Sequence, residues 1–386
     1  MNLLLIGGTG VLSSAVAREA IKQGIDVTSI NRGLRNPIEG ARVIVSDKGD
    51  KKKIAAALGG KTFDAIIDFL CITEEEVKQS FHFYSNYTKQ YIYISSCAVY
   101  NTQIANPCHE DSPKDLPIWS YSGHKWHSEE LLVDMARKAG INYTVIRPCV
   151  TYGDTRIPYG VAPQYGYHWT FFARIYTGKP LIKWNGGTTR CNMTRVEDFA
   201  VGVVGLVGNQ KAYNEAYNIC GDETPSFNDV LKEMELLANK PVIAIDMSSR
   251  FYASQIPGED GEIEGGRSID AINSNEKIKS IVPSFIQKYN LHEGMKMTYK
   301  AYIDQNYQRG IDWAFDGECD RIIKKWCKQN NMSVKSYHLG FKDYLGNASL
   351  HDKVQYYCSY HYGRIDTRLL KLFMRIMNKI SHLIKK

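Results

Sequence analysis

The sequence predicts an α/β protein built on a doubly wound parallel sheet, with a smaller C-terminal substrate domain and a helical C-terminal extension. First, an apolar run of strand length, Leu3–Ile6, breaks into a glycine cluster, and a helical pattern begins at once. Second, strand-like and helical segments then alternate along the chain, which is typical of a Rossmann-like sheet covered on both faces. Third, 386 residues, 44% of them hydrophobic, are enough for more than one domain.

The predicted strands and helices alternate along the chain, as a parallel sheet with helical connections requires. In a sheet of this kind, ligands bind at the carboxyl ends of the strands, here close to Gly7, Asn31, Asp68 and Ser96. The predicted helices are Ala15–Gln23, Glu74–Tyr87 and one beginning near Tyr121, and the later strands are Ile25–Ile30, Arg42–Val45, Ala65–Asp68, Tyr91–Ser95 and Tyr143–Arg147.

The turn after the first strand predicts a dinucleotide site. Gly7 permits a tight turn, Gly10 lets the backbone approach a pyrophosphate, and the following helix offers its N-terminus to that anion. Ser13 stands where a third glycine is common. The predicted cofactor contacts in this turn are Gly7, Thr9, Gly10, Val11 and Leu12.

The end of the second strand bears on the choice of cofactor. A carboxylate there would bind the ribose of NAD, whereas an arginine accommodates the 2′-phosphate of NADP. Asn31 and Arg32 occupy these positions, so the sequence predicts NAD or NADP and favours NADP slightly. The alternative is that Arg32 is only a solvated loop cation.

Composition and charge restrict the class of protein. No apolar run approaches the length of a transmembrane helix. The nine scattered cysteines form no C-x-x-C pair, which predicts reduced thiols, a cytoplasmic location and no metal site. Residues 287–386 hold 18 Lys and Arg against 9 Asp and Glu, a net charge of +9, whereas the preceding residues carry −2. We therefore expect no nucleic-acid partner for the main body of the chain.

Several motifs, in order, resemble one family. The chain is similar to an extended, atypical short-chain dehydrogenase/reductase of the NAD-dependent epimerase/dehydratase family, over roughly residues 1–305. The matching pieces are the Gly7–Ser13 turn, Asp47, Ser95-Ser96 with Val99-Tyr100, Tyr121-x-x-x-Lys125, Arg147-Pro148 with Tyr152-Gly153, Arg190–Asp198, Tyr217-Asn218-Ile219 and Leu291–Met295. The resemblance adds Asp47, Asp68 and Pro148 to the expected cofactor contacts.

The Tyr121 and Lys125 pair also has a physical rationale. The two residues are four apart, so they share a helix face. A free tyrosine, with a pKa of about 10, is a poor base near neutrality, but a neighbouring ammonium favours the phenolate. We expect Tyr121 to take a proton from a substrate hydroxyl, Lys125 to hold the nicotinamide ribose, and Ser96 to donate to the same substrate oxygen.

Two departures narrow the chemistry. Dehydratases of the family carry an Asp-Glu pair after the catalytic hydroxyl residue, and related decarboxylases keep a Glu there. Here the positions hold Cys97 and Ala98, which disfavours dehydration and decarboxylation. The remaining expectations are an epimerase acting on a nucleotide-sugar or, as an alternative, an NADP-dependent reductase of a keto-sugar nucleotide. The short segment between Asp68 and Tyr91 resembles stem-loop RNA-binding relatives, which leaves an RNA-binding or nucleotide-sensing protein as a third hypothesis.

Substrate contacts are expected from Ser96, Tyr152, Arg190 and Arg267. By its position Arg190 should meet the diphosphate of a nucleotide-sugar, because a forked guanidinium suits phosphate oxygens. Arg267 is either a second phosphate contact or a solvated loop arginine. An aromatic cluster could stack on the substrate or belong to the core; its members are Tyr159, Tyr165, Tyr167, His168 and Trp169.

The expected domains are a Rossmann domain over 1–155 with 181–220, a substrate subdomain over 156–180 and 221–305, and an extension over 306–386. The extension contains a helix over Asp316–Lys328 and ends in a basic amphipathic helix over Arg368–Lys386. That helix packs on protein or, through residues 365–386, touches an anionic membrane surface. The resemblance further implies a homodimer formed through the helix that carries Tyr121.

Overall fold

A computed structural model describes residues 1–163, 166–340 and 348–362, and these residues fall into two compact units. The first unit combines Met1–Gly153, Thr189–Pro225 and Gly258–Gly294. The second combines Asp154–Thr188, Ser226–Pro257 and the described residues from Met295 onward. Residues 258–294, expected in the substrate subdomain, therefore cluster with the unit that begins at Met1.

The first unit is organised by a seven-stranded sheet in which every pair of neighbours is parallel. The strand order is β10-β6-β5-β4-β1-β2-β3, so the chain turns from one half of the sheet to the other beside β1. The strands are β1 (Asn2–Ile6), β2 (Asp26–Asn31), β3 (Arg42–Val45), β4 (Ala65–Asp68), β5 (Gln90–Ile94), β6 (Asn142–Pro148) and β10 (Glu215–Ile219).

Helices cover both faces of this sheet, which confirms the predicted fold class. Leu3 and Leu5 pack with α1 and α6 on one face, whereas Leu4 and Ile6 pack with α2, α3 and α4 on the other. This alternation follows from the two-residue period of a strand. The helices are α1 (Val11–Lys22), α2 (Lys51–Leu58), α3 (Glu74–Tyr84), α4 (Ser120–Ala139), α5 (Trp169–Tyr176), α6 (Val196–Leu206), α7 (Phe227–Ala238), α8 (Ser249–Ala253), α9 (Asp260–Glu262), α10 (Glu276–Ile281), α11 (Leu291–Asp304), α12 (Trp313–Gln329) and α13 (Leu350–Tyr360).

Two helix boundaries differ from the sequence prediction for local reasons. The first helix begins at Val11, four residues earlier than expected, because the extended Gly10 already serves as its N-cap. The helix predicted over Glu74–Tyr87 stays α-helical only to Tyr84 and tightens into a 3₁₀ turn over Ser85–Tyr87.

The second unit contains a two-stranded parallel sheet of β8 (Leu181–Trp184) and β11 (Ala244–Met247), together with α5, α7, α8, α12 and α13. Its helix α12 confirms the helix predicted over Asp316–Lys328. A further short pair, β7 (Val150–Tyr152) and β9 (Met193–Arg195), belongs to the first unit. Among the described residues, no helix combines the length and apolar character that a bilayer crossing requires. The predicted terminal helix over 368–386 lies outside the described residues.

Candidate functional site

The glycine turn between β1 and α1 has no space for side chains at two positions. Gly7 has φ +90°, and a Cβ there would lie 2.6 Å from Leu70 Cδ2. A Cβ on Gly8 would lie 2.5 Å from the Cβ of Ser29. Sequence reasoning missed Gly8, although its place in a Gly-Gly pair was a usable signal.

Ser13 explains why a third glycine is unnecessary. Its hydroxyl donates to the carbonyl oxygen of Gly7 at 2.6 Å and accepts from the backbone N–H of Gly10 at 2.9 Å. In the part of the chain that the structure describes, no side chain other than that of Ser13 caps the start of α1, so its first N–H groups remain available to an anion. The turn therefore fits a dinucleotide pyrophosphate. Arg35, which sequence reasoning also missed, donates to the carbonyl oxygen of Thr9 at 2.8 Å.

The residues predicted to select the cofactor lie at the ends of β2 and β3. The amide of Asn31 is used locally, since it donates to Ser29 Oγ at 3.1 Å and accepts from the Gly33 N–H at 2.9 Å. Arg32 is exposed. Asp47 is also exposed, and its carboxylate accepts from the Gly49 N–H at 2.9 Å.

Asp68, predicted as a cofactor contact, is fully buried at the end of β4 and is the centre of a hydrogen-bond cluster. Its carboxylate accepts from the Leu70 N–H at 2.8 Å, the Tyr91 hydroxyl at 2.8 Å and the Cys71 thiol at 3.1 Å, and also from Ser80 Oγ. Burial, followed by the charge of Asp68, raises the pKa of Cys71, which therefore stays a thiol and donates. The side chain of Asp68 fixes the loop after β4 and offers no surface to a cofactor.

Lys125 lies on α4 with only 4% of its surface exposed. Its ammonium donates to the carbonyl oxygens of Cys71 at 2.7 Å and Ile94 at 3.0 Å, and to the hydroxyl of Tyr93 at 3.1 Å. All three acceptors are neutral, and burial lowers the pKa of Lys125 to about 8 although the charge of Asp68 opposes it. The ammonium also lies 6.0 Å from the centre of the Tyr121 ring. Lys125 therefore connects the loop after β4, the end of β5 and Tyr121.

Ser96 caps the 3₁₀ turn Cys97–Val99 that follows β5. Its hydroxyl oxygen accepts from the Ala98 N–H at 3.1 Å, which leaves the hydroxyl proton to donate. The turn packs against α4, the helix that carries Tyr121 and Lys125. The structure thus brings the three predicted catalytic residues to the carboxyl end of β5. The hydroxyl of Tyr93 also lies there, as an acceptor of Lys125. Sequence reasoning missed this contact, because a tyrosine in a buried strand does not differ in pattern from a core residue.

The predicted substrate residues separate into accessible and buried ones. Arg190 is exposed, and its guanidinium donates to Thr224 through Nε at 3.0 Å and Nη2 at 2.6 Å. Arg267 pairs with Glu262 and is a quarter exposed. Tyr152 is fully buried, with its ring below Arg195. The structure therefore leaves Tyr152 no surface for a substrate.

The other predicted positions are Pro148, the aromatic cluster and the expected absence of a metal site. Pro148 is buried at the last position of β6. In the aromatic cluster, Tyr159, His168 and Trp169 are buried in the second unit and Tyr167 is exposed, while Tyr165 lies outside the described residues. Within the described ranges, no three His, Cys, Asp or Glu side chains are grouped so that they could hold a metal ion.

Comparison with known proteins identifies relatives that include epimerases. Residues 81–220 match the family model described as NAD dependent epimerase/dehydratase family. The chain is 29% identical over 248 residues to the chloroplast stem-loop binding protein of 41 kDa b of Arabidopsis thaliana, covering 60% of this chain and 61% of that protein. It is 27% identical over 168 residues to the UDP-glucose 4-epimerase of Lactobacillus helveticus, covering 38% of this chain and 51% of that protein. The chain thus spans between half and two thirds of the length of these relatives.

Solved structures share the fold at low sequence identity. The UDP-glucuronic acid 4-epimerase of Bacillus cereus in complex with NAD superposes with a TM-score of 0.62 at 18% identity, covering 80% of this chain and all of that one. The UDP-glucose 4-epimerase of Thermotoga maritima with UDP-glucose gives 0.63 at 18% identity, covering 79% of this chain and all of that one. The slight preference for NADP inferred from Asn31 and Arg32 gains no support, since the cofactor named with the first of these structures is NAD. In the matched residues and in its fold, the chain is similar to proteins of the NAD-dependent epimerase/dehydratase family.

Proposed function

We propose that this protein is an NAD-dependent epimerase of a nucleotide-sugar, with Tyr121 as its base. The observation that carries the proposal is the buried ammonium of Lys125, held beside Tyr121 at the carboxyl end of β5. Within the described ranges this ammonium forms no ion pair with a carboxylate, and a buried charge of this kind is typical of sites where chemistry requires it.

The residues that would hold the cofactor lie in the same unit. Gly7, Gly8 and the N-terminus of α1 form the pyrophosphate cradle, and the exposed Asp47 is near the end of the neighbouring strand β3. When bound, NAD supplies a hydride acceptor that can later return the hydride to the other face of the sugar carbon. The names of the relatives and neighbours support an epimerase, because UDP-sugar 4-epimerases occur among both.

The chain's own residues handle the proton. Tyr121 takes it from the substrate hydroxyl, the positive charge of Lys125 favours the phenolate, and Ser96 donates a hydrogen bond to the same oxygen. Cys97 and Ala98 supply no acid or base for eliminating water. Arg190, which is exposed, would meet the substrate diphosphate through its forked guanidinium.

The test is product analysis with the full-length protein. Incubation with UDP-glucose, UDP-glucuronic acid and UDP-N-acetylglucosamine, followed by NMR of the anomeric protons, should show conversion of one of them to its C4 epimer. Tyr121→Phe should lower turnover by about 10²–10⁴-fold, the range of general acid–base catalysis, while the NAD released on denaturation stays unchanged by mass spectrometry. Turnover of the variant at the wild-type rate would remove Tyr121 from the mechanism.

A reductase would be recognised in the same samples. It would consume NADPH in the presence of a keto-sugar nucleotide and would retain no nucleotide through purification. That result would restore a role for Arg32, which is exposed near the end of β2.

A second candidate function is stem-loop RNA binding, favoured by the match to the chloroplast stem-loop binding protein. The net charge of −2 over residues 1–286 speaks against it, because nonspecific RNA affinity depends on clustered cations. A gel-shift titration with a structured RNA at 150 mM salt separates the two functions. Submicromolar binding that survives Tyr121→Phe, without epimerisation, would favour the RNA-binding function.

A further inference from the structure

Two cysteines follow neighbouring parallel strands at the same level of the sheet. The register of β6 and β10 pairs Pro148 with Ile219, so Cys149 and Cys220 are the next residues of the two strands. Neighbouring strands lie about 4.8 Å apart. That separation falls within the range of about 4.4–6.8 Å between the Cα atoms of disulfide-bonded cysteines.

The side chains of these cysteines also converge. The pKa of the Cys220 thiol is raised, first by its interaction with the neighbouring Cys149 thiol and then by burial. Cys149 Sγ lies 3.1 Å from Thr194 Oγ1, and the same oxygen accepts from the backbone N–H of Gly221 at 2.7 Å. Thr194 therefore holds Cys149 against the segment that carries Cys220.

The two thiols differ in access. Cys220 is fully buried and donates to the carbonyl oxygen of Asn273 at 3.3 Å, whereas Cys149 is only partly buried. A small oxidant would reach Cys149 first. The buried Cys220 would then be the neighbouring thiol that resolves the oxidised sulfur.

We propose that Cys149 and Cys220 form an oxidant-sensitive pair that closes reversibly to a disulfide across β6 and β10. A peroxide is the oxidant: the Cys149 sulfur attacks one peroxide oxygen, becomes a sulfenic acid and releases water. The Cys220 sulfur then attacks that sulfur, the S–O bond breaks, and the hydroxyl leaves as a second water with the thiol proton. A dithiol reductant returns both thiols. The pair stands on the sheet geometry and does not depend on the proposed epimerase activity.

The experiment uses the reduced full-length protein. Hydrogen peroxide is added in slight excess, remaining thiols are blocked with N-ethylmaleimide, and intact and peptide masses are recorded. We expect a mass lower by about 2 Da before blocking, two fewer blocked thiols, and one cross-linked peptide joining Cys149 to Cys220. Dithiothreitol should reverse all three changes.

Matched variants locate the bond. Cys149→Ser should abolish the cross-link, whereas Cys358→Ser, a partly buried thiol of the second unit, should leave it intact. Cys220→Ala should arrest Cys149 as a sulfenic acid that dimedone traps. A cross-link between other cysteines, or oxidation of Cys149 to sulfinic acid while Cys220 stays free, would overturn the proposal.

Discussion

The two units each bury a lysine, and the partners of the two lysines are different. In the first unit, Lys125 meets two carbonyl oxygens and a phenol. In the second, Lys179 lies 2.7 Å from Asp316 and 2.8 Å from Asp320. Burying a charge without an ion pair lowers stability, whereas a cluster of directly paired charges does not leave that deficit. The contrast agrees with the catalytic role proposed for Lys125 and gives Lys179 a structural role.

The second cluster also joins three helices of its unit. Arg174 on α5 pairs with Asp316 and, at 3.0 Å, with Asp320, both on α12. The hydroxyl of Tyr356 on α13 donates to Asp320 at 2.7 Å. This cluster ties the described part of the C-terminal extension to α5, so α12 and α13 belong to the core of the second unit.

The largest effect is expected from breaking the compensated cluster. Arg174→Leu would leave Asp316 and Asp320 in the interior with Lys179 as the described cation that still pairs with them. Removing one partner of a buried ion group costs about 3–5 kcal/mol of unfolding free energy, which urea denaturation followed by circular dichroism would measure. As a control, Lys300→Ala removes an exposed pair with Asp304 and should change stability by less than about 0.5 kcal/mol. Equal losses in the two variants would contradict the distinction.

An intermediate effect is expected from Lys125, whose three hydrogen-bond acceptors are neutral. The folded pKa of Lys125 is about 8, below its usual 10.5, so between these values the unfolded chain binds the proton more tightly. Lys125 therefore makes the unfolding free energy rise with pH above 8, by up to about 1.4 kcal/mol per pH unit. Lys125→Met should lack this rise between pH 8 and 9.5, since other groups titrate alike in both proteins. If the two proteins gave parallel curves of unfolding free energy against pH, the pKa of Lys125 would not be lowered in the folded state.

The smallest effect concerns Tyr93, whose hydroxyl accepts from Lys125 beside the two backbone carbonyl oxygens described above. Tyr93→Phe removes a single hydrogen bond to the ammonium, worth about 1.5 kcal/mol for a charged donor, so the pKa of Lys125 should fall by about one unit. If turnover requires the charged lysine, the alkaline limb of kcat/KM shifts to lower pH by that amount. An unchanged limb would mean that Tyr93 only fills space.

The parts of the site that are local in sequence could be predicted. Gly7, Gly10 and the alternation of strands and helices follow from short patterns, as does the shared helix face of Tyr121 and Lys125. The fold class rests on such patterns and is confirmed, and residues 81–220 match the model of the family that the motifs resemble.

The role of Asp68 could not be predicted, because its donors Cys71, Ser80 and Tyr91 come from three separate elements. The position of Asp68 at a strand end was predicted correctly, but position alone does not show whether a carboxylate points toward a ligand or toward the core. Tyr152 illustrates the same limit, since its motif gave no sign of burial below Arg195.

The order of the strands also bears on synthesis at the ribosome. β10 pairs with β6 although about 70 residues separate them, and those residues include segments of the other unit. As the chain emerges, β6 remains an open edge with unpaired backbone groups until β10 has been made. Nascent chains that stall before residue 219 would therefore expose the unpaired edge of β6. Aggregation of such chains through this edge would compete with native folding.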